Sequence, residues 1–223
     1  MDARLISIIV PALNEARGIG ASLRALAPLR ARGHELIVVD GGSEDRTREI
    51  AAPLCDRLLV APRGRAAQMN AGARAAHGDA LVFLHADTRL PEDADKEIVG
   101  SLEKHLWGRF DVSIEGSHRL LPVIARAMNL RSRLTGIATR DHAIFVRRGA
   151  FEGFPEIALM EDVAFSKAMK RRGPPACLRS RVLTSGRRWE SRGVLRTVAL
   201  MWRLRLAYCL GARPEALARR YER

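Results

Sequence analysis

The sequence predicts an α/β fold in which helices cover both faces of a mostly parallel central sheet. Apolar runs of strand length recur through the first half of the chain, and a helical pattern follows each of them. Continuous apolar runs are typical of strands buried on both faces, and a parallel pair of strands needs a long, usually helical, connection. The 223 residues are expected to form one domain, residues 1–223.

Four strands are predicted in the first half of the chain from these apolar runs. They are LISIIVPA at 5–12, ELIVVD at 35–40, DRLLVA at 56–61 and DALVFLH at 79–85. Apolar spacing or high alanine content predicts a helix after each strand. These helices span 14–32, 47–54, 65–76 and 91–105, the last beginning at a proline, which suits a first helical turn.

The second half of the chain has a less regular pattern. Its predicted strands are 108–116, which alternates like an antiparallel or edge strand, 142–148 and 177–185. Its predicted helices are 120–136, 161–172 and 193–211. The last of these is a terminal amphipathic helix in which arginines interrupt a long apolar stretch that includes Trp202 and Tyr208. It resembles interfacial helices, although a core helix with solvated arginines is the simpler alternative.

The net charge of +13 is concentrated in the second half of the chain. Residues 1–117 hold 15 basic and 17 acidic residues, whereas residues 118–223 hold 23 and 8. This excess predicts an anionic partner, such as ligand phosphates or an anionic membrane surface, unless it reflects composition alone. Nucleic acid is not expected as a partner, because aromatic residues make up only 5% and no RNA-binding motif is present.

A cytoplasmic protein is expected from the N-terminal sequence and the cysteines. MDARLISIIVPALNE lacks the basic segment and cleavage site of a signal peptide, and no charge-free apolar run reaches membrane-spanning length. Cys55, Cys177 and Cys209 are odd in number and widely spaced, which is typical of reduced thiols.

Polar side chains follow three of the predicted strands. Asn14 and Glu15 follow the first strand, Asp40 ends the second, and His85 and Asp87 follow the fourth. The carboxyl ends of parallel strands share one edge of a sheet, where ligands bind. Each carboxylate alone could simply cap a helix or a turn, but three at corresponding strand ends favour a functional site.

Several common nucleotide and hydrolase motifs are absent from the sequence. It has no G-x-G-x-x-G, no G-x-x-x-x-G-K-[ST], no metalloprotease His–Glu pair and no G-x-S-x-G. The remaining carboxylates suit a ribose, a base edge and a hard divalent cation such as Mn²⁺ or Mg²⁺.

Five sequence segments together resemble glycosyltransferase family 2, which has the GT-A (Rossmann-like) fold. In order they are VPALNE, VVDGGSEDRT, GRAAQMNAGARAAHGDALVFLHADTRLP, FEGFPEIALMEDVAFSKAMKRRG and SGRRW. The resemblance covers roughly residues 5–190. Within the family, GRAAQMNAGA, FLHADT and RRWESRGVLRTV resemble a small bacterial subfamily labelled as arsenosugar-biosynthesis glycosyltransferases, which are associated with radical SAM genes.

The resemblance implies a nucleotide-sugar half, 1–117, and a basic acceptor-side half, 118–223. In the first half it implies that Glu15 lies near the ribose and that Asp40 binds the base, uracil. The residues expected to line the nucleotide pocket are Pro11, Asn14, Glu15, Asp40, Arg65 and His85. Asp87 would bind the metal and the diphosphate, while His85 replaces the first carboxylate of the family's Asp-x-Asp motif.

For the second half, the resemblance identifies Glu161 and Asp162 with the family's catalytic Glu-Asp pair, with Asp162 as general base. Arg188 and Trp189 match part of a Gln-x-x-Arg-Trp motif of processive members, but the glutamine is absent. Asp141 and His142 could shape the acceptor pocket, or could form a surface turn.

The resemblance therefore implies an inverting, metal-dependent, non-processive glycosyltransferase that uses a UDP-linked sugar and an unidentified small-molecule or lipid acceptor. One alternative is a polyprenyl-phosphate glycosyltransferase on the inner membrane face, and another is a basic membrane-binding module without catalysis. A nucleotidyltransferase is less favoured, because VPALNEARG lacks the glycines of a phosphate-binding loop.

Overall fold

The computed structural model describes residues 5–222, apart from the side chains of Arg188 and Glu222. Within this range an eight-stranded sheet has the order β3-β2-β1-β4-β7-β6-β8-β5. The strands are β1 (Ile6–Ala12), β2 (Glu35–Asp40), β3 (Arg57–Val60), β4 (Ala80–Phe83), β5 (Thr88–Arg89), β6 (Trp107–Glu115), β7 (Ile144–Arg147) and β8 (Ala176–Ser185).

Helices connect the strands and cover both faces of the sheet. They are α1 (Ile19–Ala25), α2 (Ala27–Ala31), α3 (Thr47–Ala51), α4 (Arg65–Ala75), α5 (Ala94–Leu102), α6 (Leu121–Thr135), α7 (Glu161–Arg172), α8 (Arg187–Arg192), α9 (Val194–Cys209) and α10 (Pro214–Glu222). Among residues 5–222, no helix is both long enough and apolar enough to cross a lipid bilayer.

The predicted α/β class is confirmed, and the parallel part of the sheet lies in the first half of the chain. β1 pairs in parallel with β2 and β4, and β2 pairs in parallel with β3. The second half is mixed, since β7 is antiparallel to β4 and β6, whereas β8 is parallel to β6. β6, predicted as an antiparallel or edge strand, is antiparallel to β7 and lies in the interior of the sheet, between β7 and β8.

The continuous apolar runs are explained by two cores, one on each face of the sheet. Successive side chains of a strand point to opposite faces. Ile8 and Val38 accordingly belong to one buried cluster, while their neighbours Ile9 and Val39 belong to the other.

The predicted helix over 14–32 is two shorter helices, α1 and α2, which begin only at Ile19. Asn14 adopts a left-handed conformation with a φ of 54°. Its N–H donates to Oγ of Ser43 at 2.9 Å, and its side-chain oxygen accepts from the Glu44 N–H at 2.9 Å. Asn14 therefore ties the loop after β1 to the loop after β2, and the chain cannot enter a helix there.

Gly108 in β6 has no room for a side chain. A Cβ at this position would lie 2.6 Å from the carbonyl oxygen of Ala176 in β8 and 2.4 Å from the ring of Phe145. We expect Gly108→Ala to lower the free energy of unfolding by roughly 1–3 kcal/mol, as overpacked cores do. Gly100→Ala, in α5, meets nothing within 4 Å and should raise it by about 0.5–1 kcal/mol. Urea unfolding of both variants measures the two changes in the free energy of unfolding. Equal effects of Gly108→Ala and Gly100→Ala would contradict the prediction.

Candidate active site

A cleft of about 790 Å³ opens at the carboxyl ends of β1 and β4 and is lined by residues from both halves of the chain. The sequence-predicted residues that line it are Pro11, Glu15, Arg65, His85, Asp87, Asp141, Glu161 and Trp189. The cleft lining does not include Asn14, Asp40, His142 and Asp162. The side chain of Arg188 lies outside the described part of the structure.

The loop after β1 carries Glu15 to the rim of the cleft. The Glu15 N–H donates to Oγ1 of Thr47 at 2.8 Å, which fixes the backbone at this point. Its carboxylate accepts from Nη2 of Arg187 at 3.3 Å. This contact joins the first strand loop to α8, so the two predicted halves meet across the cleft.

Asp40 is fully buried beneath the loop that follows β2. Its Oδ2 accepts from the N–H groups of Gly42 and Ser43, each at 2.9 Å. Its Oδ1 has no hydrogen-bond partner among the described residues. One oxygen of Asp40 therefore shapes the turn, and the other is an unused acceptor.

Gln68 is a cleft residue that the sequence analysis missed. Its Nε2 donates to the carbonyl oxygens of Ala12 and Val39, both at 2.8 Å. These bonds fasten α4 to the carboxyl ends of β1 and β2, so Gln68 holds Arg65, at the start of the same helix, beside the strand ends. Gln68 belongs to the motif GRAAQ, which pointed to this segment of the chain. Its partners, however, are backbone atoms that only the fold brings to it.

Asp87 lies in the turn that follows β4. The Thr88 N–H donates to the His85 carbonyl at 3.0 Å, and the Ser185 N–H donates to the Asp87 carbonyl at 3.2 Å. Burial and then the nearby charge of Asp141 raise the pKa of the Asp87 carboxyl, although Arg140 and Arg187 oppose this. Two carboxylates of the cleft are thus close enough to repel each other.

Glu161 and Asp162, at the start of α7, have different surroundings. Glu161 lines the cleft and accepts from Nη1 of Arg65 at 3.1 Å. Burial and the charge of Asp162 raise the pKa of Glu161, and Arg65 opposes the rise. Asp162 accepts from the N–H groups of Arg140 at 2.9 Å and Val163 at 2.7 Å. It borders a small hollow of about 10 Å³, which Arg65 and His85 also line.

Asp141 and His142 are neighbours in sequence but point to different regions. Asp141 lines the cleft and lies 3.6 Å from Nε of Arg140. His142 is fully buried, and its Nδ1 lies 2.9 Å from Oγ1 of Thr139. Burial and the positive charges of Arg109 and Arg131 hold the pKa of His142 well below its usual value. His142 is therefore a neutral residue buried in the core, outside the cleft lining.

Arginines dominate the charged lining of the cleft. It contains seven arginines and four carboxylates, which gives the cleft an excess of positive charge. Of these seven arginines, only Arg65 was assigned to the site from sequence. The others are Arg63, Arg131, Arg140, Arg187, Arg192 and Arg205. The basic character of residues 118–223 pointed to them as a group, and such a field attracts phosphorylated ligands.

The resemblance implies a divalent cation, which needs oxygen donors from the cleft. Among residues 5–222, no group of three or more His, Cys, Asp or Glu side chains could hold a metal ion. Mg²⁺ sites often use one or two carboxylates and take their other oxygens from substrate phosphates and water. The mutual repulsion of Asp87 and Asp141 fits a cation that binds together with a diphosphate.

Comparison with known families places the chain in one of them. Residues 7–159 match the model of Glycosyl transferase family 2, and the chain belongs to that family. It is 41% identical over 168 residues to PGL/p-HBAD biosynthesis glycosyltransferases of Mycobacterium bovis and Mycobacterium tuberculosis, covering 68% of this chain and 62% of theirs. The chain thus spans about 62% of the length of these relatives.

A more distant relative is the undecaprenyl-phosphate 4-deoxy-4-formamido-L-arabinose transferase of Pseudomonas paraeruginosa. It is 30% identical over 162 residues, which cover 64% of this chain and 46% of that protein.

Solved structures confirm the predicted GT-A fold. S. aureus TarS 1–349 in complex with UDP-GlcNAc matches with a TM-score of 0.65 and 18% identity, over 81% of this chain and 58% of that one. Glucosyl-3-phosphoglycerate synthase from Mycobacterium tuberculosis, in complex with Mn²⁺, UDP and phosphoglyceric acid, matches with a TM-score of 0.59 and 23% identity. That match covers 80% of this chain and 68% of the synthase.

Proposed function

We propose that the protein is an inverting, metal-dependent, non-processive glycosyltransferase that transfers a sugar from a UDP-linked donor to a small-molecule or lipid acceptor. The observation that carries this proposal is the convergence of Glu15, Asp87, Arg65 and Arg187 in one cleft at the strand ends. Family membership supports it, as do fold neighbours solved with UDP-GlcNAc and with UDP and Mn²⁺.

The nucleotide of the donor would lie over the carboxyl ends of β1 and β2. Pro11 lines the cleft there, and Glu15 can accept from ribose hydroxyls. The unused Oδ1 of Asp40 is the acceptor that a uracil N–H needs. Because Asp40 is buried outside the lining, uracil can reach it only if the turn of residues 41–43 moves.

The diphosphate of the donor would lie between Asp87 and the arginines. Asp87 and Asp141 would hold the divalent cation, which supplies positive charge to the departing diphosphate. Arg65 and Arg187 lie in the same cleft and would stabilise the negative charge that grows on the leaving group. His85, an imidazole beside Asp87, can donate to a phosphate or a ribose hydroxyl.

The chemical step would be a single displacement with inversion at the anomeric carbon. Asp162 would take the proton of the acceptor hydroxyl as that oxygen attacks the carbon and the diphosphate departs. Glu161 would hold Arg65 in place through their 3.1 Å contact. Trp189 lines the acceptor-facing part of the cleft, and the lack of the family's glutamine in SGRRW supports transfer of one sugar at a time.

The test is a thermal-shift screen of UDP, UDP-glucose and UDP-GlcNAc with and without MnCl₂. A ligand at one hundred times its dissociation constant stabilises the native state by about 2.7 kcal/mol, so a clear upward shift is expected with Mn²⁺. No shift with any nucleotide would contradict the proposal. Release of pyrophosphate on incubation with a sugar phosphate and UTP would indicate a nucleotidyltransferase instead.

Metal-dependent UDP binding should weaken as the pH falls, because Mn²⁺ binds the ionised carboxylate of Asp87. Burial and Asp141 raise the pKa of Asp87 above the usual value of 3.8. Protonation therefore competes with the metal at a higher pH than it would at an exposed carboxyl, and metal binding should release a proton. Calorimetric titrations in buffers of different ionisation enthalpy measure this proton, and no proton release on lowering the pH would contradict the assignment.

A second candidate function is transfer to a polyprenyl phosphate at the inner membrane face. Apolar side chains of α6 and α9 are exposed to solvent, including Leu134 at 77%, Trp202 at 68% and Leu206 at 62%. Exposed apolar side chains beside arginines suit an interfacial surface. Co-sedimentation with anionic liposomes tests it, and if transfer fails while binding persists, the chain is a membrane-binding module.

A further inference from the structure

Two arginines from different helices line the acceptor-side part of the cleft and carry buried hydrogen-bond donors without a partner. They are Arg131 of α6 and Arg205 of α9. Nε and Nη2 of Arg131 and Nε of Arg205 are buried and have no hydrogen-bond partner among the described residues. Buried polar groups are nearly always paired, so these donors need an explanation.

The surroundings of the two arginines do not neutralise them. Burial and the charge of Arg205 lower the pKa of Arg131 to about 10, and burial also lowers the pKa of Arg205. Asp141 and Asp162 attract both guanidinium groups. However, Asp162 already accepts from two backbone N–H groups, and Asp141 lies beside Arg140.

Arg109 shows how the same fold treats an arginine with a structural role. It is fully buried, yet its guanidinium donates to the carboxylate of Asp111 and to the carbonyl oxygens of Phe110 and Asn129. Only Nε of Arg109 has no partner among the described residues. The fold therefore gives this internal arginine three acceptors of its own, whereas Arg131 and Arg205 line the cleft.

We propose that Arg131 and Arg205 bind an anionic group of the acceptor, a phosphate or a carboxylate. A planar guanidinium presents parallel N–H donors that match two oxygens of such a group, and an anion would compensate both buried charges. This inference rests on the proposed function, because it places the acceptor in the same cleft as the donor.

The remaining lining of this subsite indicates an acceptor with an apolar part. Ile124 and Met128 of α6, and Val198 and Met201 of α9, line the cleft on the same two helices as the arginines. Asp141 and Arg140 act electrostatically on Asp87 and on Arg205 alike, so the anion subsite adjoins the proposed diphosphate position. A phosphate on a soluble compound and a phosphate on a lipid share this chemistry.

The experiment first saturates the donor site of the full chain with UDP and MgCl₂, and then titrates inorganic phosphate by calorimetry. Arg131→Gln and Arg205→Gln should each weaken phosphate binding by about tenfold or more, the usual effect of losing a charge-assisted hydrogen bond. Arg126→Gln and Arg203→Gln are the matched controls, because they remove the same charge from exposed positions of the same helices. The controls should bind phosphate like the wild type.

A second arm replaces phosphate with phosphatidylcholine vesicles that contain undecaprenyl phosphate, with plain phosphatidylcholine vesicles as reference. If free phosphate and the phosphate-bearing vesicles both bind in an arginine-dependent way, the subsite accepts a phosphate from either source. If only the phosphate-bearing vesicles bind in this way, the source is a lipid. If neither probe binds, or if all four variants lose binding equally, the inference is overturned. Failure of the wild type to bind UDP would instead contradict the proposed function.

The melting temperatures of the ligand-free variants separate binding from a structural role. Removing an unpaired buried charge should leave the melting temperature unchanged or raise it. Inorganic phosphate should raise the melting temperature of the wild type more than that of Arg131→Gln. A fall of several degrees in ligand-free Arg131→Gln relative to Arg126→Gln would overturn the inference.

Discussion

Asp87→Asn is expected to abolish Mn²⁺-dependent UDP binding and to lower the rate of sugar transfer by about 100- to 1,000-fold, the usual range for loss of one group that stabilises developing charge. Asp87 supplies a partly buried carboxylate after β4, near enough to Asp141 for the charge of Asp141 to raise its pKa. The amide of asparagine preserves the shape of the side chain but removes the charge that a hard cation prefers.

The same substitution should not destabilise the ligand-free protein. A carboxyl whose pKa is raised by folding costs stability once it ionises, so stability is greater below its folded pKa and declines as the pH rises through it. Asp87→Asn removes this cost at neutral pH. A folded variant that fails to bind UDP with Mn²⁺ therefore reports the site and not the fold.

The control for Asp87 lies at the other end of the same strand. Asp79 precedes β4 and is exposed, outside the cleft lining. Asp79→Asn should keep UDP binding and transfer, measured by calorimetry and by release of UDP from the donor. Metal-dependent UDP binding by Asp87→Asn at the wild-type level would remove Asp87 from the metal site.

Asp162→Asn is expected to lower the turnover rate by about 100- to 10,000-fold, as loss of a general base does, while UDP binds normally. Asparagine can still accept from the Arg140 N–H, which Asp162 holds at 2.9 Å. The substitution keeps this hydrogen bond and removes the basic group, but it loses the second bond, from the Val163 N–H, because the amide NH₂ cannot accept. Steady-state kinetics with a transferring donor–acceptor pair, together with UDP calorimetry, measures both effects.

Glu161→Gln is the matched variant, because it removes the adjacent charge. Glu161 accepts from Arg65 at 3.1 Å, so its loss should weaken donor binding and raise KM more than it lowers kcat. The opposite pattern, with an active Asp162→Asn and a Glu161→Gln of very low kcat, would identify Glu161 as the base. Glu161 lines the large cleft, so this result is chemically possible and would correct the assignment.

The strands were predictable because each carries its own signal. The apolar residues of β1 and β2 face two cores in alternation, and this leaves a continuous apolar run in the sequence. The helix over 14–32 was less well predicted, since its start depends on the hydrogen bonds of Asn14 to a loop about thirty residues away. No local pattern contains that information.

The sequence by itself determined the α/β class, the strand ends that carry Glu15, Asp40 and Asp87, and the basic character of the second half. These properties follow from local periodicity, strand direction and composition. It also indicated the Glu161–Asp162 pair through motif resemblance. Apart from the charge excess, these features can be recognised within short stretches of chain.

Only the tertiary structure decided which side chains face the cleft. It placed Asp141 in the lining and His142 in the core, and it buried Asp40 beneath its own turn. It also brought Arg131 and Arg205 to the cleft from helices far apart in the sequence. The physical reason is that charge and hydrogen-bond partnership belong to neighbours in space, and the packing of α6 and α9 sets those neighbours.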